Sequence, residues 1–268
     1  KTDKIILETL QKNTAPACIF ASYFSKNEDI LCIMPSDHYI ENKEKFVKTL
    51  EKAIKLASKD FLVTVGAKAK EPNSNYGYIV PSKKKINNYF EIESFIEKPS
   101  KKIAEKLIKN NSLWNTGIIV VKNEVLIKLF KKFSKNTYVK SIAACKSAKL
   151  ENEFHVLNKR FLEKIKEISV DYAILEKKFT KLVVPYKGQW SDLGTYDALY
   201  KVRKSFGNII SINSHNNFTY SNEKLMVISG ISDQVIVNTR NAMLVTKKDS
   251  PHFLRDIMKL LEKKKQEE

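Results

Sequence analysis

The sequence predicts an α/β fold: a mixed, mostly parallel sheet flanked by helices, with a small β-rich appendage at its C-terminal end. Three observations carry that expectation. Short runs that read as buried strands, the wholly apolar 30–34 and 61–65, alternate with longer stretches of helical periodicity, the pattern of βαβ units. From about residue 76 the alternation gives way to two strand-like runs around a Lys/Asn-rich turn. After Gly207 the texture shifts again, to short strands at regular spacing that suggest β-helix-like turns. The expected division is a main domain over residues 1–206 and a β-rich region over 207–268.

Each element follows from local pattern. Residues 5–10 read as a short strand, and 15–24 as a compact apolar helix after a turn. The unbroken apolar run 30–34 reads as a buried central strand, stopping at Pro35-Ser36-Asp37-His38. Helix 41–58 carries Phe46, Val47, Leu50, Ile54 and Leu56 near helical spacing. Residues 61–65 form a second buried strand, and 76–81 with 90–97 a hairpin. Ser100 is suited to cap a helix over 101–110. A strand follows at 116–122, then a helical stretch 124–167 broken at 134–140. Ser169 opens a short helix through Glu176. A strand at 182–185 and a helix at 193–204 complete the first domain. Strands at 209–212, 224–228, 234–237 and 242–246 build the second, and Pro251 starts an amphipathic helix to Lys263.

Composition narrows the function. The 268 residues are enough for a sizeable core. The net charge of +18 invites a nucleic-acid reading. Its distribution argues against one, because lysines are spread along the whole chain, on the expected wet faces of helices 41–59 and 101–111. No basic stripe interleaved with aromatics, helix-turn-helix, zinc or RNA-recognition signature occurs. No uncharged apolar run of about 18 residues appears, so no membrane-spanning helix is expected. The N-terminal residues lack the apolar core of a signal peptide. Cys18, Cys32 and Cys145 lack metal spacing and read as reduced and buried, which fits a cytoplasmic protein. The chain does not begin with Met, so an upstream piece is expected.

In open α/β sheets, ligands bind beyond the carboxyl ends of strands. Asp37 follows the strand at 30–34, Glu97-Lys98 closes the strand at 90–97, and Asp192 follows 182–185 through Lys187-Gly188-Gln189-Trp190-Ser191. Two aspartates on separate strand ends suit a Mg²⁺ that also touches phosphates, because Mg²⁺ takes few protein carboxylates. Each aspartate alone is equally a turn or capping residue. Asp192 in particular is placed to cap the helix starting near Leu193.

Context adds to this. Asn13-Thr14-Ala15-Pro16-Ala17, Pro35-Ser36-Asp37-His38, Tyr76-Gly77-Tyr78-Ile79, Phe95-Ile96-Glu97-Lys98-Pro99, Trp114-Asn115-Thr116-Gly117, Ser169-Val170-Asp171-Tyr172-Ala173 and Trp190-Ser191-Asp192-Leu193-Gly194 follow in that order. Together they resemble the mannose-1-phosphate guanylyltransferase family, the bacterial type II enzymes, from about residue 5 to 261. The resemblance implies a reaction between GTP and mannose 1-phosphate, giving GDP-mannose and pyrophosphate with Mg²⁺ as cofactor. It implies Asp37 and Asp192 as the metal aspartates. Asn13, Thr14, Ala15 and Pro16 would pack against the base, although Thr14 as helix cap and Pro16 in the first turn is a compatible structural reading. Gly77 would bring backbone to the sugar, or simply mark a strand bulge. Glu97 and Asn115 would bind sugar hydroxyls, and Lys98 would pair with the sugar phosphate as a catalytic point charge. Asp171 would contact the sugar or metal, or only orient its helix. Trp114 reads as core, and His38 as a structural neighbour of Asp37.

One part of the family pattern has no match. A Gly-rich loop that cradles the triphosphate precedes these motifs in the family, yet the seven glycines here are scattered singly. The expectation is a chain of weak or no activity by itself, acting as a homodimer or with a separately encoded N-terminal segment. Another sugar-phosphate nucleotidyltransferase, or a non-catalytic module keeping the sugar-phosphate half-site, are the alternatives. No C-terminal isomerase domain is expected.

Overall fold

The computed structural model describes residues 4–248 and residues 257, 260, 261 and 263. The chain divides into two compact units: Lys1–Ser36 with Ile40–Trp190, and Asp37–Tyr39 with Ser191–Glu268. The helix expected from Pro251 to Lys263 lies largely outside the described residues.

The chain opens with β1 (Ile5–Leu7), α1 (Thr14–Tyr23), β2 (Ile30–Ile33), β3 (Tyr39–Ile40), α2 (Lys43–Ala57) and β4 (Leu62–Lys68). Asn13, rather than Thr14, caps α1, its side chain accepting the Thr14 N–H. Asn42 caps α2 by accepting the Lys45 N–H at 2.8 Å. The α2 lysines stay exposed while Ala53, Leu56 and Ala57 are buried, as its amphipathic pattern requires. The hairpin β5 (Tyr78–Ile86) and β6 (Tyr89–Ile96) turns at Asn87-Asn88. Both asparagines have positive φ, 49° and 66°, which is the two-residue turn whose twist suits a hairpin. Next come α3 (Lys101–Lys109), β7 (Leu113–Lys122), α4 (Asn123–Phe133) and α5 (Lys135–Lys146). Ser100 stands at the N-cap of α3 but its side chain makes no capping hydrogen bond.

The long helical stretch expected over 124–167 is broken further than its pattern implies. The break between α4 and α5 is one residue, Ser134. Beyond α5 the chain forms a small hairpin, β8 (Lys149–Glu151) and β9 (Phe154–Val156), turning where Asn152 adopts a φ of 56°. β9 pairs in parallel with β1, a long-range ladder that local periodicity cannot register. Then follow α6 (Lys159–Leu162), one turn of π-helix at Asp171–Leu175, β10 (Lys181–Tyr186) and β11 (Trp190–Ser191).

The main sheet has the order β2-β7-β4-β10-β6-β5. It is mixed, but far less parallel than expected: only β4 with β10 is a parallel pair, and the other ladders are antiparallel. The reason is that β7 inserts between β2 and β4, antiparallel to both. The strands β2, β4 and β10 do point the same way, as the helix–strand alternation implies, yet alternation reports direction and not adjacency. The insertion also leaves β2 at the edge of the sheet, half-buried, where its apolar run predicts a central strand.

Helices cover both faces. Leu62 packs with Ala15, Ile19, Ile119, Leu126 and Phe130 from α1, β7 and α4. Its neighbour Val63 packs with Ala53, Leu56, Ala57, Val120 and Leu182. Each large aliphatic side chain buried this way contributes about 1.5–3 kcal/mol. Cys18 and Cys145 are buried and their thiols are pushed up to about 12 by burial, while Cys32 is only half-buried.

In the second unit, α7 (Tyr196–Val202) precedes β12 (Ser205–Ile212), β13 (Phe218–Ser229), β14 (Gln234–Asn238) and β15 (Met243–Lys247). The first three strands pair in parallel and β15 closes antiparallel to β14. Side-chain bonds recur 17 positions apart: His215 N–H to Ser232 Oγ, Gln234 N–H to Asn217 Oδ1, and Asn238 Nδ2 to Ser221 Oγ. The unit is thus a coil of β-helix, its polar side chains replacing backbone partners at the corners. Gly207, at φ 95°, is required there, because a Cβ would run into the Ser221 carbonyl.

Asn123 holds the end of α1. Fully buried, it donates from Nδ2 to the carbonyls of Ser22, Ser25 and Lys26. Asn123→Ala strands those carbonyls, and urea denaturation is expected to show a loss of about 2–3 kcal/mol.

Candidate functional site

Asn115, near the start of β7, joins four of the motif segments. Its backbone N–H donates to the Gly77 carbonyl at 2.8 Å. Its Nδ2 donates to Asp171 Oδ1 at 3.1 Å, and its Oδ1 accepts the Gly117 N–H at 3.2 Å. Gly77 in turn lies against Glu97: a Cβ at 77 would collide with the Glu97 carboxylate and press on the Phe95 ring. Glycine therefore lets backbone and carboxylate lie close together here. Trp114 is core, as expected, with Tyr76 edge-on to its indole at 5.0 Å.

Glu97 is half-buried and Lys98 exposed, with Lys98 Nζ at 3.9 Å from Glu97 Oε1. Lys98 holds a left-handed backbone, φ 45°, immediately before Pro99. A residue preceding proline prefers extended backbone, so this conformation costs about 1–3 kcal/mol. Strain of this kind is retained where a side chain must point in one direction.

Burial pushes the Glu97 carboxyl above its ordinary value, and the nearby Asp171 pushes it further. Asp171 is likewise raised by burial, against the lowering pull of its own backbone and of Asn115 and Ser169. The raised pair faces one cation, Lys98, which lowers both. Glu176 joins them: burial raises it, and it adds to the rise at Glu97. Sequence reading missed Glu176. In a π-turn the Glu176 N–H reaches back to the Asp171 carbonyl, at 2.9 Å, a spacing that α-helical periodicity does not bring together.

The segment 13–16 is tied to the same place. Ala15 N–H donates to the Ile168 carbonyl at 3.2 Å, and Thr14 Oγ1 accepts the Val170 N–H at 2.9 Å. Asn13 and Thr14 are exposed, while Ala15 and Pro16 are buried. Ser169 does open the next turn, its Oγ accepting the Tyr172 N–H at 3.3 Å.

Asp37 and Asp192 belong to the other unit. The two-residue strands β3 and β11 pair with one another, so the segments carrying the aspartates run side by side. The Asp37 side chain is 82% exposed, with His38 Nε2 at 3.9 Å from it. Asp192 does not cap a helix. Its Oδ1 accepts the Gly194 N–H at 3.0 Å, and Thr195 caps α7 by accepting the Ala198 N–H. Leu193 between them has φ 53°, an uncommon conformation for a branched side chain. The pair offers only carboxylate oxygens, the hard donors that Mg²⁺ accepts. Among the described residues no group of three or more His, Cys, Asp or Glu converges as a metal cluster, and no helix is long and apolar enough to cross a membrane.

Residues 2–208 match the nucleotidyl transferase family. The chain belongs to that family. Residues 207–261 match the MannoseP isomerase/GMP-like beta-helix domain, in keeping with the coil built by β12 to β15. The mannose-1-phosphate guanylyltransferase 2 of Escherichia coli O157:H7 is 28% identical over 277 residues, covering 96% of this chain and 58% of that protein. A mannose-1-phosphate guanylyltransferase of Escherichia coli is 29% identical, covering 97% of this chain and 60% of that protein. The chain therefore spans a little over half the length of these curated relatives. A crystal structure from Thermus thermophilus, titled mannose-1-phosphate geranyltransferase, superimposes with a TM-score of 0.83 at 24% identity, covering 96% of this chain and 77% of that one. This likeness shows the nucleotidyltransferase fold.

The raised carboxyls make stability pH-dependent. Glu97, Asp171 and Glu176 are raised in the folded protein, so the stability they favour is fully present below about pH 4 and is lost as pH rises through their folded values. Asp171→Asn removes one buried charge and lowers Glu97. It is expected to flatten this part of the curve, checked by denaturant midpoints across that range.

Proposed function

We propose that this chain is the catalytic nucleotidyltransferase portion of a mannose-1-phosphate guanylyltransferase, with GTP and mannose 1-phosphate as substrates. The single observation that carries the reading is the Asn115 junction, which gathers Gly77, Asp171 and, through Gly77, Glu97 and Lys98 in one compact unit. The names of the curated relatives support it.

In this reading a phosphate oxygen of mannose 1-phosphate attacks the α-phosphorus of GTP. The bond to the β-phosphate bridging oxygen breaks, giving GDP-mannose and pyrophosphate. The attacking oxygen is already anionic, so no general base is needed. Catalysis then rests on positioning and on charge placed where it develops. Lys98 pairs with the sugar phosphate, and its strained backbone aims it. Glu97 and Asn115 bind sugar hydroxyls, with Asp171 fixing the Asn115 amide so that its orientation is set before substrate arrives. Asn13 and Thr14 present the exposed edge of the α1 start to the base, while Ala15 and Pro16 anchor that edge in the core. Asp37 and Asp192 hold a Mg²⁺ ion, which supplies neutralisation of phosphate charge when bound.

A second reading has its own observation. The Asn115 junction gathers only motif residues assigned to the sugar phosphate, which is also the geometry of a module that binds the sugar phosphate without turnover.

Pyrophosphate release from GTP and mannose 1-phosphate with Mg²⁺ distinguishes them. Turnover is expected to fall on the order of 10²–10³ for Asp37→Asn or Asp192→Asn. Lys98→Ala is expected to raise KM for mannose 1-phosphate. Tight binding of mannose 1-phosphate with no turnover, with or without an added N-terminal segment, would establish the second reading instead.

A further inference from the structure

Between α2, the tip of the β5–β6 hairpin and the end of β10, the first unit holds a cavity of about 250 Å³. Its apolar lining is Tyr89, Phe90, Val184 and Pro185, and its polar lining is Lys52, Asn88 and Lys187. The sheet explains the opening. β6 pairs with β10 at Glu91 with Leu182 and at Phe90 with Val183. Beyond Val183, β10 runs on beside β4 as far as Tyr186, while the hairpin has turned at Asn87-Asn88. β10 therefore loses one neighbour where Val184 and Pro185 lie, and among the described residues no other strand takes its place.

The lining is divided in its chemistry. Val184 is buried and Tyr89, Phe90 and Pro185 are half-buried, so the apolar part is core surface left uncovered. Lys52, Asn88 and Lys187 are exposed. No carboxylate lines the cavity, and neither lysine has an ion-pair partner among the described residues. Two cations from distant elements, without counter-ions, around an apolar lining are complementary to an anion with an apolar body. Size narrows the class. Pockets for drug-sized ligands hold about 300–1,000 Å³, so this one suits a single ring and a head group rather than a nucleotide sugar. The two aromatic side chains suit a ring. A phosphate monoester, with a charge of about −1.5 to −2 at pH 7, answers both lysines.

We infer that this cavity is a binding site for a small aromatic phosphate monoester, with Lys52 and Lys187 holding the phosphate and Tyr89 and Phe90 the ring. None of the lining residues belongs to the Asn115 junction, so the site stands apart from the proposed reaction.

Isothermal titration calorimetry with phenyl phosphate tests it, with inorganic phosphate and benzyl alcohol as the two halves of the probe. The wild-type chain is expected to bind phenyl phosphate saturably, about tenfold or more tighter than either half. Lys52→Ala and Lys187→Ala are each expected to weaken it about tenfold, the loss of one charge-assisted bond. Lys109→Ala removes an exposed lysine from the end of α3 and is expected to leave the affinity unchanged. Lys98→Ala is expected to leave it unchanged as well, because Lys98 does not line the cavity. No saturable binding, or inorganic phosphate binding as tightly as phenyl phosphate, would overturn the site. An equal fall in Lys52→Ala and Lys109→Ala would show only the attraction of a basic protein for anions, and would overturn it too. A fall in Lys98→Ala with none in the cavity variants would move phenyl phosphate to the Asn115 junction, overturning the cavity site while leaving the proposed function standing.

Discussion

The first unit depends on β7 being inserted antiparallel between β2 and β4. Four consecutive residues of that strand, Ile118 to Val121, are buried and feed three separate core clusters. A strand that supplies both faces of a sheet cannot shift by one residue without moving every side chain to the wrong layer. Its register is thereby locked over these residues, while Asn115 lies beyond a register shift in the pairing with β4 and is held by its own bonds to Gly77, Gly117 and Asp171. A binding group on such an element is held more rigidly than one on a loop.

The electrostatics around Asn115 follow from that rigidity. Glu97, Asp171 and Glu176 are forced together, and the cations that act on them are Lys98, on the first two, and Lys177, on the third. In their ionised forms this arrangement opposes folding, since burial and the neighbouring like charges raise these carboxyls. The strained Lys98 backbone and the glycine gap at 77 have the same character. Each is a local departure held in place by the structure around it.

Much of this was legible in the sequence, and the failures share one cause. Hydrophobic periodicity located α2, α3, the β5–β6 hairpin and the strands of the coil within a few residues. It failed at β2, which has the composition of a central strand but sits at an edge, and over 147–157, where a hairpin replaces helix. In both places the outcome was decided by a partner far away in sequence: β7 for the first and β1 for the second. The motif strings identified Glu97, Lys98, Asn115 and Asp171 as belonging together. They did not reveal Glu176, whose approach needs a π-turn, or the cavity between Lys52 and Lys187, whose walls come from distant segments.

By itself, the sequence determined the alternation of helix and strand, the direction of β2, β4 and β10 and the order of the polar strand ends. These depend on side chains and backbone within a turn or two, where propensity and periodicity act directly. The tertiary structure alone decided which strands are neighbours, which asparagine and glycine face which carboxylate, and which carboxyls are raised. Those outcomes depend on burial and on contacts between distant segments, whose free energies no local pattern encodes.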